Sequence, residues 1–225
     1  KKNFQRHFQN RKLLESGAFG SPKLIKKNGK IDTVTISPEE LNSCFLVQRV
    51  KRFKAQFAFV FGCDLIKGEL FEALPEFNVN LHLGLSPWYK GSATLFWPFV
   101  LLEPQFAGVT FHKLALAADA GGIIHQSTPD LKRGDGVHDV GTRCVIDAAG
   151  QAIRICKSFL ANGSLEVEKQ HSNGRLWLMR DFHPSHLRII YTQFGDRIVD
   201  RYLDGDLSHR TPKLVSTLSN NFLYD

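Results

Sequence analysis

The stretch 78-NVNLHLGLSPWYKG-91 decides how this chain folds. It predicts a buried strand over residues 79–83, followed by a turn at Ser86-Pro87. Side chains two residues apart on a strand project from the same face, so Asn80 and His82 lie side by side. An amide and an imidazole in that arrangement can both donate hydrogen bonds to one oxygen. The end of this strand is therefore a candidate active site.

The segments around this strand predict an α/β sheet. The continuous apolar run at 57–61 predicts a strand buried on both faces. Because the strands alternate with helices, we expect a mainly parallel sheet flanked by helices. Further strands are predicted at 33–36, 108–114 and 123–126, helices at 1–16, 38–54, 65–74, 92–102 and 136–160, and a loop at 17–30. Residues 165–225 predict an irregular, β-containing extension with a turn at Asn173-Gly174.

An acidic residue follows the strand at 108–114. Asp119 stands in a loop that is otherwise rich in alanine, where no ion-pair partner is adjacent in sequence. In open α/β sheets, functional side chains gather beyond the carboxyl ends of the strands. We therefore expect Asp119 to approach Asn80 and His82.

Composition limits the class of protein. The 225 residues, 43% of them hydrophobic, suffice for one large domain with its own core. Four cysteines without a Cys-x-x-Cys pair favour reduced thiols and a cytoplasmic protein. No apolar run reaches the roughly 18 residues of a membrane span, and no signal peptide is recognisable, so we expect no membrane partner.

The positive charge is concentrated near the start of the chain. Residues 1–54 hold 13 Lys and Arg against 4 Asp and Glu, within a net charge of +7. This excess is compatible with a solvated surface or with a field that attracts an anionic substrate. Nucleic acid is a disfavoured partner because no aromatic-interleaved RNA motif accompanies the charge. Oligomeric state is left open, with a homodimer as one option.

Four motifs together resemble one family. They are Asn-x-His from Asn80, Leu-x-Pro-x-Tyr-Lys-Gly from Leu85, Gly-Val-Thr-x-His from Gly108, and Asp-x-Gly-x-Ile-Ile from Asp119. In this order and spacing they resemble the folate-dependent formyltransferases, which act on glycinamide ribonucleotide, methionyl-tRNA or sugar nucleotides. The clear resemblance covers residues 56–127. It implies a Rossmann-like catalytic domain at 1–164, with 165–225 as its extension.

The resemblance also implies the site. Asn80, His82 and Asp119 match the family's catalytic residues, and the co-substrate would be N10-formyltetrahydrofolate, with no metal. We expect Asn80 and His82 to stabilise an oxyanion, and Asp119 to raise the pKa of His82 and accept the proton of the amine. The folate would lie against Phe61, Gly62, Cys63, Leu65, Ile66, Ala117, Ala118 and Gly121. The acceptor would face Trp88, Tyr89, Lys90 and Gly91.

The departures from the family pattern bear on the acceptor. The family's first strand, with its phosphate-binding turn, is missing or divergent, which disfavours a glycinamide ribonucleotide enzyme. The sixty or so residues after the long helix are too few for the barrel of a methionyl-tRNA enzyme. The resemblance thus favours an anionic nucleotide-linked amino sugar. The alternative from another class is a binding module that keeps the fold without catalysis.

Overall fold

The computed structural model describes residues 1–20, 32–171 and 174–218. Most of the predicted loop at 17–30 and Asn173 of the predicted turn lie outside the described residues.

Six strands in these residues form two sheets. They are β1 (Phe57–Phe61), β2 (Phe77–His82), β3 (Tyr89–Gly91), β4 (Val109–His112), β5 (Ile123–Ser127) and β6 (Arg175–Trp177). The larger sheet has the order β1-β2-β4-β5, and β3 pairs with β6 in parallel. β1 is parallel to β2, whereas β4 is antiparallel to both of its neighbours. Three of the four strands thus run in one direction, as the prediction of a mainly parallel sheet requires. β4 is reversed because the short connection to β5 contains no crossover helix.

Seven helices accompany the sheets in the described part of the chain. They are α1 (Lys2–Phe19), α2 (Cys44–Phe53), α3 (Gly68–Ala73), α4 (Trp97–Val100), α5 (Val137–Asn162), α6 (His186–Arg188) and α7 (Ile198–Leu203). None of the helices in the described ranges is long and apolar enough to cross a bilayer.

The helices lie on both faces of the larger sheet. Alternate residues of β1 project to opposite faces. Phe57 packs against Phe159 of α5, with ring centroids 5.0 Å apart. Val60, on the other face, packs against Val47 of α2 and Leu70 of α3. The result is a three-layer α/β arrangement that leaves the carboxyl ends of β1 and β2 accessible.

Several local predictions were wrong. Residues 33–36 are irregular and do not form a strand. The single helix predicted at 38–54 is instead a 3₁₀ turn at Pro38–Glu40 followed by α2, and Ser43 caps the start of α2. The helix predicted at 92–102 shortens to α4 because Ala93 is left-handed, with φ of 55°. β1 is not buried on both faces: Phe59 is 39% and Phe61 51% exposed, because β1 lies at the sheet edge.

The C-terminal region is more helical than predicted. Besides β6 it contributes α6, a π-helical turn at Ile189–Gln193, and α7. Leu187, Ile190 and Ile198 of this region are buried in the same cluster as β2 and β4. The region therefore shares the main hydrophobic core.

Candidate active site

A cavity of about 910 Å³ lies at the carboxyl end of β2. The turn after β1, the end of β2 and the loop that carries Asp119 line one part of it. The helix α1 and the first turns of α5 line the other part. We call these two parts of the lining the two arms of the cavity, and Asn80, His82 and Asp119 lie among the lining residues.

The three predicted catalytic side chains are close together. Nδ1 of His82 lies 3.4 Å from Oδ2 of Asp119. Asn80 Nδ2 donates to Nε2 of His112, at 3.1 Å, and the same His112 nitrogen lies 3.4 Å from Oδ1 of Asp119. Asp119 thus faces a histidine from β2 and a histidine from β4.

Hydrogen-bond partners determine the tautomers of both histidines. Nε2 of His82 lies 2.8 Å from the Tyr89 carbonyl oxygen, and Nδ1 of His112 lies 2.9 Å from the Lys113 carbonyl oxygen. A carbonyl only accepts, so these two nitrogens carry the ring protons. In the neutral rings, the nitrogens that face the Asp119 carboxylate are therefore unprotonated. A proton added to either ring would go to the nitrogen that faces Asp119, where it can donate to the carboxylate.

Burial has the largest effect on His82 and lowers its pKa. The Asp119 charge raises that pKa, as predicted, and the hydrogen bond to the Tyr89 carbonyl acts in the same direction. The net pKa is nevertheless lowered, because desolvation outweighs the carboxylate. Burial alone would raise the pKa of Asp119, but contacts with His112, His82 and the Gly91 amide together hold it below its usual value.

The loop around Asp119 is braced from two sides. Asp119 is left-handed, with φ of 49°, a region that aspartate tolerates better than most residues. The Gly91 amide donates to Oδ2 of Asp119 at 2.7 Å. From the C-terminal region, Gln170 Nε2 donates to the carbonyl oxygens of Asp119, at 2.9 Å, and Gly121, at 2.7 Å. These contacts fix the carboxylate against the end of β2.

Solved structures of formyltransferases are similar to this chain. The formyltransferase PseJ from Anoxybacillus kamchatkensis, in complex with UDP-4,6-dideoxy-4-formamido-L-AltNAc and tetrahydrofolate, matches with a TM-score of 0.54 and 21% identity over 66% of this chain and 76% of that one. A sugar N-formyltransferase from Shewanella sp FDAARGOS_354 matches with a TM-score of 0.52 and 18% identity over 81% and 75%. Glycinamide ribonucleotide transformylase 1 from Symbiobacterium toebii matches with a TM-score of 0.52 and 20% identity over 62% and 71%. The chain has the formyltransferase fold. No protein-family model matches it.

On this formyltransferase fold, most of the residues predicted to bind folate line one arm of the cavity. They are Phe61, Gly62, Cys63, Leu65, Ile66 and Ala118. Ala117 is exposed beside the cavity, outside its lining. Gly121 is buried behind the loop, where a Cβ atom would collide with the Lys113 carbonyl oxygen. Gly121 therefore permits the close approach of two backbone segments rather than contacting a ligand.

The residues predicted to face the acceptor mostly lie elsewhere. Gly91 lines the cavity, but Trp88, Tyr89 and Lys90 do not. The Tyr89 ring is buried and its hydroxyl donates to Glu103 at 3.0 Å, while Trp88 packs edge-on against Phe106 at 5.5 Å. These side chains anchor β3 from behind because the turn at Ser86-Pro87 directs them into the core.

Sequence reasoning missed part of this site. His112 entered only as the last residue of the Gly-Val-Thr-x-His motif, and Gln170 and the histidines of α1 and α5 were given no role. The spacing of His112, seven residues before Asp119, was the one available signal. Among the described residues, no group of three or more His, Cys, Asp and Glu side chains is arranged to hold a metal ion.

Proposed function

We propose that this chain is an N-formyltransferase that moves the formyl group of N10-formyltetrahydrofolate to a primary amine of a nucleotide-linked amino sugar. The observation that carries the proposal is the convergence of Asn80, His82 and Asp119 on one cavity of a formyltransferase fold. Three reacting groups from two separate segments have no structural need to meet at a cavity. Their meeting supports catalysis over a binding module that has only kept the fold.

The folate arm suits a flat, largely apolar ring. Phe61 and Leu65 expose 51% and 52% of their surfaces, and Ala118 lies among the residues opposite in the lining. Exposed apolar side chains beside a cavity are typical of a ligand site. In this arm the bound folate would supply the activated formyl group next to Asn80.

The side chains have distinct parts in the transfer. An amide nitrogen carries two hydrogens, so Asn80 keeps one N–H for the formyl oxygen while the other bonds His112. As the amine attacks the formyl carbon, the new C–N bond forms and negative charge develops on that oxygen. The proton lost by the amine passes to Asp119, whose carboxylate shares it with the facing Nδ1 of His82. The same proton then protonates N10 of the folate as the old C–N bond breaks.

The acceptor class rests on a narrower argument. The PseJ structure holds a UDP-linked formamido sugar, and the Shewanella protein is a sugar N-formyltransferase. The lining residues of α1 and α5 are not among those predicted to bind folate, so we assign the acceptor to this arm. We therefore infer an amino sugar as acceptor, ahead of glycinamide ribonucleotide or methionyl-tRNA.

Calorimetry with 5-formyltetrahydrofolate, followed by a transfer assay, tests this proposal. The wild type should bind the folate with a micromolar Kd and transfer formyl to a UDP-linked 4-amino sugar. Asn80→Ala should keep that Kd and lose about 10²–10³ in kcat, as expected for one oxyanion donor. Glu69→Gln, in the exposed first turn of α3, is the matched control. A folded wild-type sample that binds no folate would contradict the proposal and favour the non-catalytic module.

A further inference from the structure

The second arm of the cavity contains a buried and a half-buried histidine that the transfer chemistry does not use. His7 of α1 is 7% exposed, and its Nδ1 lies 2.9 Å from the Tyr191 hydroxyl and 3.1 Å from Nε2 of His138. The two rings lie 4.3 Å apart, and both line the cavity. Burial lowers the pKa of His7 to about 3 and that of His138 to about 4. Both rings are therefore uncharged near neutral pH.

Two neutral imidazoles joined in this way present a fixed set of polar groups. If His138 donates to His7, then Nε2 of His7 carries the ring proton and Nδ1 of His138 carries a lone pair. If His7 donates, the two roles exchange. In either case the pair offers one donor and one acceptor, which matches hydroxyl groups because each hydroxyl both donates and accepts.

The same arm is poorly suited to phosphate. Arg11 is the only Lys or Arg among the described lining residues, and it is paired with Glu15 at 2.7 Å. The start of α5 would otherwise attract an anion. Two of its amides already have acceptors, because Gly136 donates to Asp139 at 2.9 Å and Val137 to Asp196 at 3.0 Å, and both acceptors are carboxylates that oppose an anion.

We propose that His7 and His138 form the recognition site for an uncharged, hydroxyl-bearing ring of the acceptor, and that any phosphates of the acceptor stay outside the cavity. Phe8 and Phe182, which also line this arm, supply apolar surface beside the ring. This inference rests on the proposed function, since it concerns the acceptor of the same site. It makes the His7–His138 pair, rather than a cation, the determinant of specificity.

Binding measurements separate this inference from formyl transfer. Saturation-transfer NMR and calorimetry would use three probes: a UDP-linked 4-amino-4,6-dideoxy sugar, the methyl glycoside of that sugar, and UDP alone. Titration with 5-formyltetrahydrofolate reports on the folate arm. The variants are His138→Phe and His7→Phe, which keep an aromatic ring, and Arg11→Gln. His138→Phe leaves the contact between α1 and Tyr191 intact, so it serves even where His7→Phe folds poorly.

We expect His138→Phe to raise the Kd of both sugar-bearing probes about tenfold, which is the effect of losing about one hydrogen bond to a buried group. The folate and UDP affinities should not change, and Arg11→Gln should bind every probe within about twofold of the wild type. Unchanged sugar binding in the histidine variants, or loss of UDP binding in Arg11→Gln, would overturn the inference. Wild-type protein that binds folate but neither sugar probe would overturn it and leave formyl transfer standing. Loss of folate binding as well would remove both.

Discussion

The Gly91 amide donates a hydrogen bond to Oδ2 of Asp119 at 2.7 Å, across 28 positions of sequence. This contact joins β3 to the loop after β4, and it aims the carboxylate at His82 and His112. Both histidines direct unprotonated nitrogens at Asp119 when they are neutral, so neither ring then donates to the carboxylate. The Gly91 amide is therefore the donor that holds the Asp119 side chain in place.

Asp119→Asn should separate activity from stability. With its oxygen at the Oδ2 position the asparagine can still accept from Gly91, and its amide nitrogen, at the Oδ1 position, can donate to Nε2 of His112. We expect a melting temperature equal to or above that of the wild type, with kcat lower by about 10²–10⁴ because the proton acceptor is gone. Asp119→Ala is the matched comparison, since it also loses the Gly91 contact and should melt lower. Activity in Asp119→Asn within tenfold of the wild type would remove Asp119 from the mechanism.

Gly91→Ala should destabilise the protein strongly. Gly91 has φ of 92°, and a Cβ atom there would collide with the Trp177 carbonyl oxygen of β6. We expect the free energy of unfolding to fall by about 2–3 kcal/mol in urea titrations. The control is Gly150→Ala, because Gly150 lies in α5 and a Cβ atom added there would have no neighbour within 4 Å. That change should stabilise by about 0.5–1 kcal/mol. Equal effects of the two substitutions would show that β3 and β6 contribute little to the fold.

The sequence predicts that the three proposed catalytic residues lie close together. The two-residue spacing of Asn80 and His82 on a strand predicts their shared orientation, and both line the cavity with Asp119. Local patterns could not predict the direction of β4, because the direction of a strand depends on the path of the connections before and after it. They also could not give the contact between His7 and Tyr191, which are 184 positions apart. The side chains of Trp88 and Tyr89 were misplaced because a turn adjacent to a site can direct its residues into the core.

Acid should weaken the fold through its buried histidines. Burial lowers the pKa of His7 to about 3 and the pKa values of His125 and His138 to about 4, from an ordinary 6.5. With a depressed folded-state pKa, the unfolded chain binds more protons as the pH falls below 6.5. Stability is therefore fully present above about pH 7 and is lost progressively towards about pH 4. Urea unfolding as a function of pH measures this loss.

The matched variants for the acid effect are His138→Phe and His209→Gln. His138→Phe removes one buried imidazole and should flatten the pH dependence, whereas His209 is exposed and its replacement should leave the dependence unchanged. A wild type whose stability is constant down to about pH 4 would mean that these rings are protonated without cost in the folded state.

Cys63 provides a chemical probe of the folate arm. Its thiol is accessible and lines the cavity, whereas Cys44 is accessible at the start of α2, outside the lining. Partial burial of the Cys63 thiol raises its pKa. Alkylation is therefore best run at about pH 9.5, where more thiolate is present. If 5-formyltetrahydrofolate binds between Phe61 and Ala118, it must cover Cys63. At about ten times its Kd the ligand leaves roughly one site in eleven empty, so labelling of Cys63 should slow about tenfold. Labelling of Cys44 should keep its rate. Folate that binds by calorimetry but slows neither cysteine would place the pterin away from the turn after β1, and the formyl donor would then have to approach Asn80 from the α1 side.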